Sequence, residues 1–460
     1  MSVNGLFPTT DQHGRRIRPL TGRSALKRTK ALIGATAVVC LSAGVLLVGG
    51  VASAGSEPPG AKSPGPALPG PAKQASNTGP VLMKLSNLNG PVDSGEVASF
   101  AAYIKNLTPA ANNIGNQWAQ GHSGQSTEAM GEVYQVSGNR AVLDRMIGFC
   151  DADLSERDDL AKAPVGQHVL WTGKVGPAWP NEVTTKPVTT GGEQGDSIGH
   201  LADCARLILQ TPSLWHQRVT IGDPHGYGAT YLQRARTFVA QADYAVDNHV
   251  LSRLLNVSNG DRQYFAADSP YKGGTAVPWN QQMMFDYAFQ NLAIDHQLLG
   301  DSPQRVKRYD GLVQTSVNWF FSSVHSYTDK DGRKAYSWDY AAGTGDLEDN
   351  DHGSLDLAGL YLAYQSGRYH ITPAMMAPFA NTFVDVMTKG KQNYAGRVNG
   401  SNGSGNSAPT NYVRSGWLLM AQFQPGDYQS FMSADFPAGT TGADDRFASA
   451  LMVQNARSRK

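Results

Sequence analysis

Little in the 460-residue chain points to the commonest ligand-binding chemistries. It has only 3 Cys and no zinc-type cysteine pair, and it contains no P-loop, no dinucleotide fingerprint and no H-E-x-x-H. Phosphate, nicotinamide and zinc-hydrolase readings lose their usual support, and serine-hydrolase chemistry is not expected either. An excess of one charge is also missing. With 39 Lys and Arg against 38 Asp and Glu the formal charge is +1, which excludes a strongly nucleic-acid-binding chain, and 18 Tyr with 8 Trp exclude a disordered one.

That balance of charge is a cancellation between unrelated segments. The first thirty residues carry Arg15, Arg16, Arg18, Arg23, Lys27, Arg28 and Lys30 against a single acid, Asp11, and an apolar run over 31–51 follows at once. Ala52-Ser53-Ala54 supplies the small residues of a signal-peptidase site, so 1–54 reads as a secretory signal peptide. The alternative is an uncleaved membrane anchor, because about 20 apolar residues just span a bilayer. Gly and Ala dilute the run and favour cleavage. Removing 1–54 takes away seven basic residues and one acid, leaving 32 against 37 and a mature charge near −5.

Residues 55–80 are Pro, Gly, Ala and Ser with almost nothing to bury, the composition of a semi-extended linker. Residues 81–460 remain for one large catalytic domain. Two of the cysteines fall there, Cys150 and Cys204, and an even count in an oxidising compartment invites a disulfide.

Within this domain helices come in pairs. Apolar residues at helical spacing run over 125–149 with a stop at Ser137-Gly138-Asn139. The same grammar returns over 280–321, where Leu299-Gly300-Asp301 closes one helix and Ser302-Pro303 opens the next, and over 354–387, broken by Ser366-Gly367 and restarted at Thr372-Pro373. Gly just past a helix end and Ser/Thr-Pro at a helix start are the expected boundary signals. Further helices are expected over 197–209 and 231–251. Repeated helix pairs stack as a solenoid or close into a ring, so the fold expected is mainly α, an (α/α) toroid. Strand-like text at 168–173, 335–340 and 394–400 is expected as loops and short strands over one mouth of that ring. Asp329-Lys330-Asp331-Gly332 reads as a tight turn between short strands, since a calcium loop would want a later glutamate.

The residues that carry chemistry lie mostly in the second half. Trp338-Asp339-Tyr340 is followed by Asp346, then by Glu348-Asp349-Asn350-Asp351-His352-Gly353 and Asp356, running into an apolar helix. A helix N-terminus favours carboxylates and opposes charging a histidine. Capping accounts for one or two acids but not for a histidine, a Trp and a Tyr in the same loop. A second cluster, Pro278-Trp279-Asn280-Gln281-Gln282, joins amides to a flat indole of the kind that stacks on sugar rings. A third is Gly195-Asp196-Ser197-Ile198-Gly199-His200. The fourth joins Arg397-Val398-Asn399-Gly400 to Asn411-Tyr412-Val413-Arg414-Ser415-Gly416-Trp417.

Helix pairs ending in G-D, P-W-N-Q-Q opening a long helix, E-D-x-x-H-G-x-x-D before an apolar helix, R-V-N-G and N-Y-x-R-x-G-W together resemble the secreted (α/α)-toroid polysaccharide lyases. The likeness spans about residues 95–435 and is strongest to lyases of uronate polymers such as glucuronan or alginate. Asn350-Asp351-His352-Gly353 departs from the N-N-H-x-Y-W core of the better-known alginate lyases, which weighs against alginate. The resemblance implies a β-elimination, in which the uronate carboxylate is neutralised, the C5 proton removed and the departing O4 protonated.

The expected catalytic residues are Asn280 with Arg414 for neutralisation, Tyr340 and His352 for proton transfer, and Glu348 or Asp349 to orient His352. Trp279, Gln281, His200, Trp338, Arg397 and Asn399 are the expected substrate contacts. No cofactor, metal or nucleic-acid partner is expected, nor a membrane once the signal is removed. Two rivals stand beside this reading. One is a glycoside hydrolase drawing two carboxylates from Asp196, Glu348, Asp349 and Asp351. The other is a non-catalytic carbohydrate-binding envelope protein.

Overall fold

Helices dominate the computed structural model, which describes residues 90–427 and 444–458 without 113 and 120, and adds 83, 85 and 86. The signal expected at 1–54 and the linker at 55–80 lie outside the described residues. No helix among the described residues is long and apolar enough to cross a membrane.

The boundary residues act as their chemistry dictates. Helices α1 (Ser94–Ile104) and α2 (Gly115–Trp118) precede α3 (His122–Ser137), which stops at Gly138, whose φ of 63° is left-handed. Asn139 then caps α4 (Arg140–Glu156) by accepting from the Ala141 N–H at 3.0 Å. Helix α5 covers Gln194–Leu209, three residues earlier than expected, and α6 covers Tyr231–Ala245 before running into π-helical turns over Val246–Leu254. The long helix α7 (Trp279–Leu299) ends at Gly300 with φ 65°, and Pro303 opens α8 (Pro303–Ser323). Helix α9 (Asn350–Ser366) ends at Gly367, Thr372 caps α10 (Pro373–Asn381), and α11 (Ser415–Met420) and α12 (Asp444–Ser458) follow.

Packing runs through alternate helices. Helix α3 packs on α5, α5 on α7, α7 on α9, α9 on α11, α11 on α12, and α12 returns to α3. The intervening α4, α6 and α8 each pack on the neighbours that precede or follow them. Glycines set the closest approach. A Cβ at Gly195 would lie 2.4 Å from the Met284 backbone, and one at Gly199 would lie 2.2 Å from the Tyr287 ring, so α5 and α7 meet nearly backbone to backbone.

Strand-like text departs from expectation in one segment. Residues 168–173 form no strand; only Leu170 bridges to Val188. The other two segments do hold short strands, each paired in an antiparallel two-stranded ladder: β3 (His325–Thr328) with β4 (Lys334–Ser337), and β5 (Thr388–Gly390) with β6 (Asn393–Tyr394). A third ladder, β1 (Leu255–Asn256) with β2 (Tyr264–Phe265), had no sequence signal long enough to read. The Asp329 turn is as expected, its carboxylate accepting from the Asp331 and Arg333 N–H groups at 2.9 and 2.8 Å.

The expected disulfide is not formed. Cys150 on α4 and Cys204 on α5 are buried free thiols in hydrogen-bond contact with each other, and Cys150 Sγ also lies 3.4 Å from the His200 carbonyl. Burial pushes both thiols above their usual range, which keeps them protonated and unreactive.

A candidate active site at the helix N-termini

The first turns of four helices carry most of the residues singled out in the sequence. Asp349 is the N-cap of α9; its Oδ1 accepts from the Asp351 and His352 N–H groups at 2.8 and 2.9 Å. Its other oxygen lies 2.9 Å from His352 Nδ1, so one carboxylate both caps the helix and orients the imidazole. The Nδ1–H donates to it, because these bonds hold Asp349 below its ordinary range even though burial works the other way. Nε2 is left with no protein partner among the described residues.

Charge at His352 departs from expectation. Burial alone would lower its pKa, but the hydrogen bond it donates to Asp349 and the carboxylates of Asp349, Asp351 and Asp356 raise it above the ordinary value. Nearby full charges outweigh the partial charge of one helix end. The Tyr340 ring lies against the imidazole, centroids 5.0 Å apart. Burial holds the Tyr340 phenol above its ordinary range, so it remains a proton donor at neutral pH.

Glu348 does not orient His352. It is fully buried, and its carboxyl interacts directly with that of Asp356, which also accepts from Trp338 Nε1 at 2.7 Å. Burial, followed by the Asp356 and Asp349 charges, pushes Glu348 well up, while burial pushes Asp356 up to about 7. Ligand atoms of Glu348, Asp349 and His352 all fall within 4.8 Å of one another. Asp349 and His352 are bonded to each other, while Glu348 Oε2 and Asp356 Oδ1 are buried with no hydrogen-bond partner among the described residues.

Arg414, at the N-cap of α11, lies 2.7 Å from Asp351, and both side chains are mostly buried. The guanidinium expected to neutralise substrate is therefore neutralised by the protein. Asn280 is buried in the first turn of α7 with its amide oxygen unpartnered among the described residues. Gln281 beside it donates to the Tyr271 hydroxyl at 2.6 Å, and its own amide oxygen is also unpartnered.

Two residues without a sequence signal complete this surface. Lys272 Nζ donates to the Tyr340 hydroxyl at 3.0 Å, and Tyr271 joins Gln281 to the loop before α5, where a Cβ on Gly191 would meet the Tyr271 ring at 2.8 Å. Glu193 stands behind Tyr271, pushed up to about 7 by burial. Contacts run from Tyr271 through Lys272 and Tyr340 to His352, and Arg414 at the start of α11 pairs with Asp351, the residue before His352. Only the Gly273-Gly274 turn after Lys272 marks that segment in the sequence.

Several expected substrate contacts belong to the core instead. Trp279 is fully buried edge-on to Trp319 and Phe320, and Trp338 edge-on to Phe320 and Phe379, so neither indole offers a face to a sugar. His200 is also buried, its Nε2 2.7 Å from the Trp118 carbonyl and its Nδ1 3.4 Å from the Tyr287 hydroxyl; burial lowers its pKa to about 4. Asn399 is exposed but spends its oxygen on the Ser401 N–H and hydroxyl. Arg397 does reach the loop, donating to the Leu347 carbonyl at 3.3 Å while its backbone bridges to Asp349.

Gly195-Asp196-Ser197-Ile198-Gly199 spells G-x-S-x-G. It is not a nucleophile elbow. Ser197 is buried inside the first turns of α5, and its nearest histidine in the chain, His200, is committed to Trp118 and Tyr287. At the opposite, C-terminal ends of α3, α5, α7 and α9 lies a cavity of about 420 Å³, lined among others by Glu132, Asp203, Arg206, Gln290 and Arg368. Its arginines are held by Asp203 and Asp310, and it contains no histidine.

The chain matches no protein-family model, no curated protein and no solved structure.

Proposed function

We propose that α3, α5, α7, α9, α11 and α12 form the inner ring of an (α/α) toroid, and that the protein is a secreted enzyme cleaving a uronate-containing polysaccharide by β-elimination. The observation that carries the reading is the relay Asp349–His352 beside Tyr340: a carboxylate-oriented imidazole with a free Nε2, next to a phenol held protonated. These are the base and the acid that elimination needs. In the reaction His352 Nε2 takes the C5 proton, the C5–H electron pair becomes the C4–C5 double bond, the C4–O4 bond breaks, and Tyr340 protonates O4. Asn280 and the N-termini of α5, α7, α9 and α11 supply a positive surround for the carboxylate and for the negative charge that develops on it.

The hydrolase alternative draws less support. Of its acids, Glu348 is buried against Asp356 and Asp349 is bonded to His352, so neither stands free across a groove from a partner. The test is to incubate the purified mature domain with a panel of uronans and neutral glycans and to compare absorbance at 235 nm with reducing-end release. Unsaturated ends on a uronan, lost in His352→Ala, are expected. Reducing ends without 235-nm absorbance overturn the elimination in favour of hydrolysis.

A further inference from the structure

With Arg414 paired to Asp351 and Arg397 donating to the Leu347 carbonyl, Lys272 is the cation that stands directly against Tyr340. Lys272 is exposed and has no carboxylate partner among the described residues. Its ammonium sits 4.8 Å from the centre of the Tyr340 ring and 5.8 Å from that of Tyr271, with a single hydrogen bond, to the Tyr340 hydroxyl. An ammonium has three donors, so two remain uncommitted beside the catalytic phenol.

The backbone is bent to put it there. Lys272 has φ 50°, a left-handed conformation unusual for a side-chain-bearing residue, at the start of a turn that Gly274 continues with φ 75°. Such strain is kept where the surroundings impose it, often at a site that uses it. Partial desolvation against the two phenol rings lowers its pKa.

We propose that Lys272 binds the carboxylate of the uronate whose C5 proton His352 removes, and that it makes the site selective for acidic over neutral sugars. This rests on the elimination reading above, and deepens it by naming the specificity-determining residue. One hydrogen bond to Tyr340 and one to the substrate carboxylate would place that carboxylate next to the phenol that protonates O4. Lysine suits the task as a compact point charge, whereas arginine's planar fork is already used where a protein carboxylate needs a fixed partner.

Binding can be read apart from turnover in the His352→Ala background. A 4-linked glucuronate tetramer and the neutral 4-linked glucose tetramer are titrated calorimetrically into H352A, H352A/K272Q and H352A/K272R. Expected are binding of the acidic tetramer that K272Q weakens about tenfold or more and K272R partly restores, a shallower dependence on salt in K272Q, and no change with the neutral tetramer. Equal affinity of H352A and H352A/K272Q for the acidic tetramer overturns the proposal, as does failure of that tetramer to bind at all. If binding depends on Lys272 but the unmodified protein forms no 235-nm product from any uronan, the elimination reading falls while the carboxylate site stands. Because Lys272 is exposed, unchanged thermal midpoints are expected for all three proteins.

Discussion

Asp349 holds His352 Nδ1 at 2.9 Å with one oxygen and caps α9 with the other. This double duty makes the pair separable by mutation. Asp349→Asn keeps a good N-cap residue, so stability is expected to change by only a few tenths of a kcal/mol. The imidazole loses its anionic partner, and kcat is expected to fall about 100-fold or more.

The same pair sets the pH profile. Elimination needs neutral His352, whose pKa is raised, so kcat/KM is expected to climb with pH through a midpoint above 6.5 and to show no falling limb from Tyr340 below pH 10. In Asp349→Asn the midpoint moves down, toward or below the ordinary histidine value. A midpoint unmoved by that substitution would remove Asp349 from the relay.

Arg414 and Asp351 make a second test. Arg414→Ala strands a mostly buried carboxylate, so it should destabilise more than the Arg414→Ala/Asp351→Ala double variant, with a coupling of about 1–3 kcal/mol by urea unfolding. If Arg414 is structural, the double variant also keeps most of its KM for a uronan. A KM that rises equally in the single and double variants would return Arg414 to substrate binding.

The buried Glu348–Asp356 pair has its own signature in stability. Folding raises the Asp356 pKa from 3.8 to about 7, so the folded state keeps a proton that the unfolded chain releases. Stability from this group is complete below about pH 4 and is lost as pH rises toward 7; Glu348 adds to the same trend. Asp356→Asn retains an acceptor for Trp338 and is expected to flatten the fall between pH 4 and 7, measured as denaturation midpoints against pH.

Thiol reactivity checks the unbridged cysteines. In the mature domain Cys150 and Cys204 are expected to resist a thiol reagent while folded and to react, two per chain, in denaturant without reductant. No reaction in denaturant would mean that oxidation joins them.

The helices were legible because their signals are local: Gly138, Gly300 and Gly367 each end a helix in left-handed conformation, and Asp349 caps α9 through its nearest neighbours. His352, Tyr340 and Asp349 were legible too, lying within thirteen residues of one another in a loop too rich in chemistry for a cap alone. Burial was not. Trp279, Trp338 and His200 carry the residue types of a sugar site, and only the packing of α8 and α10 on the indoles and of α2 and α7 on the imidazole decides that their faces are covered. Partnership was likewise decided in three dimensions. Arg414 is spent on Asp351 across sixty-three residues, and Lys272 meets Tyr340 across sixty-eight, since a charge acts on whatever lies within a few ångströms of it regardless of sequence separation.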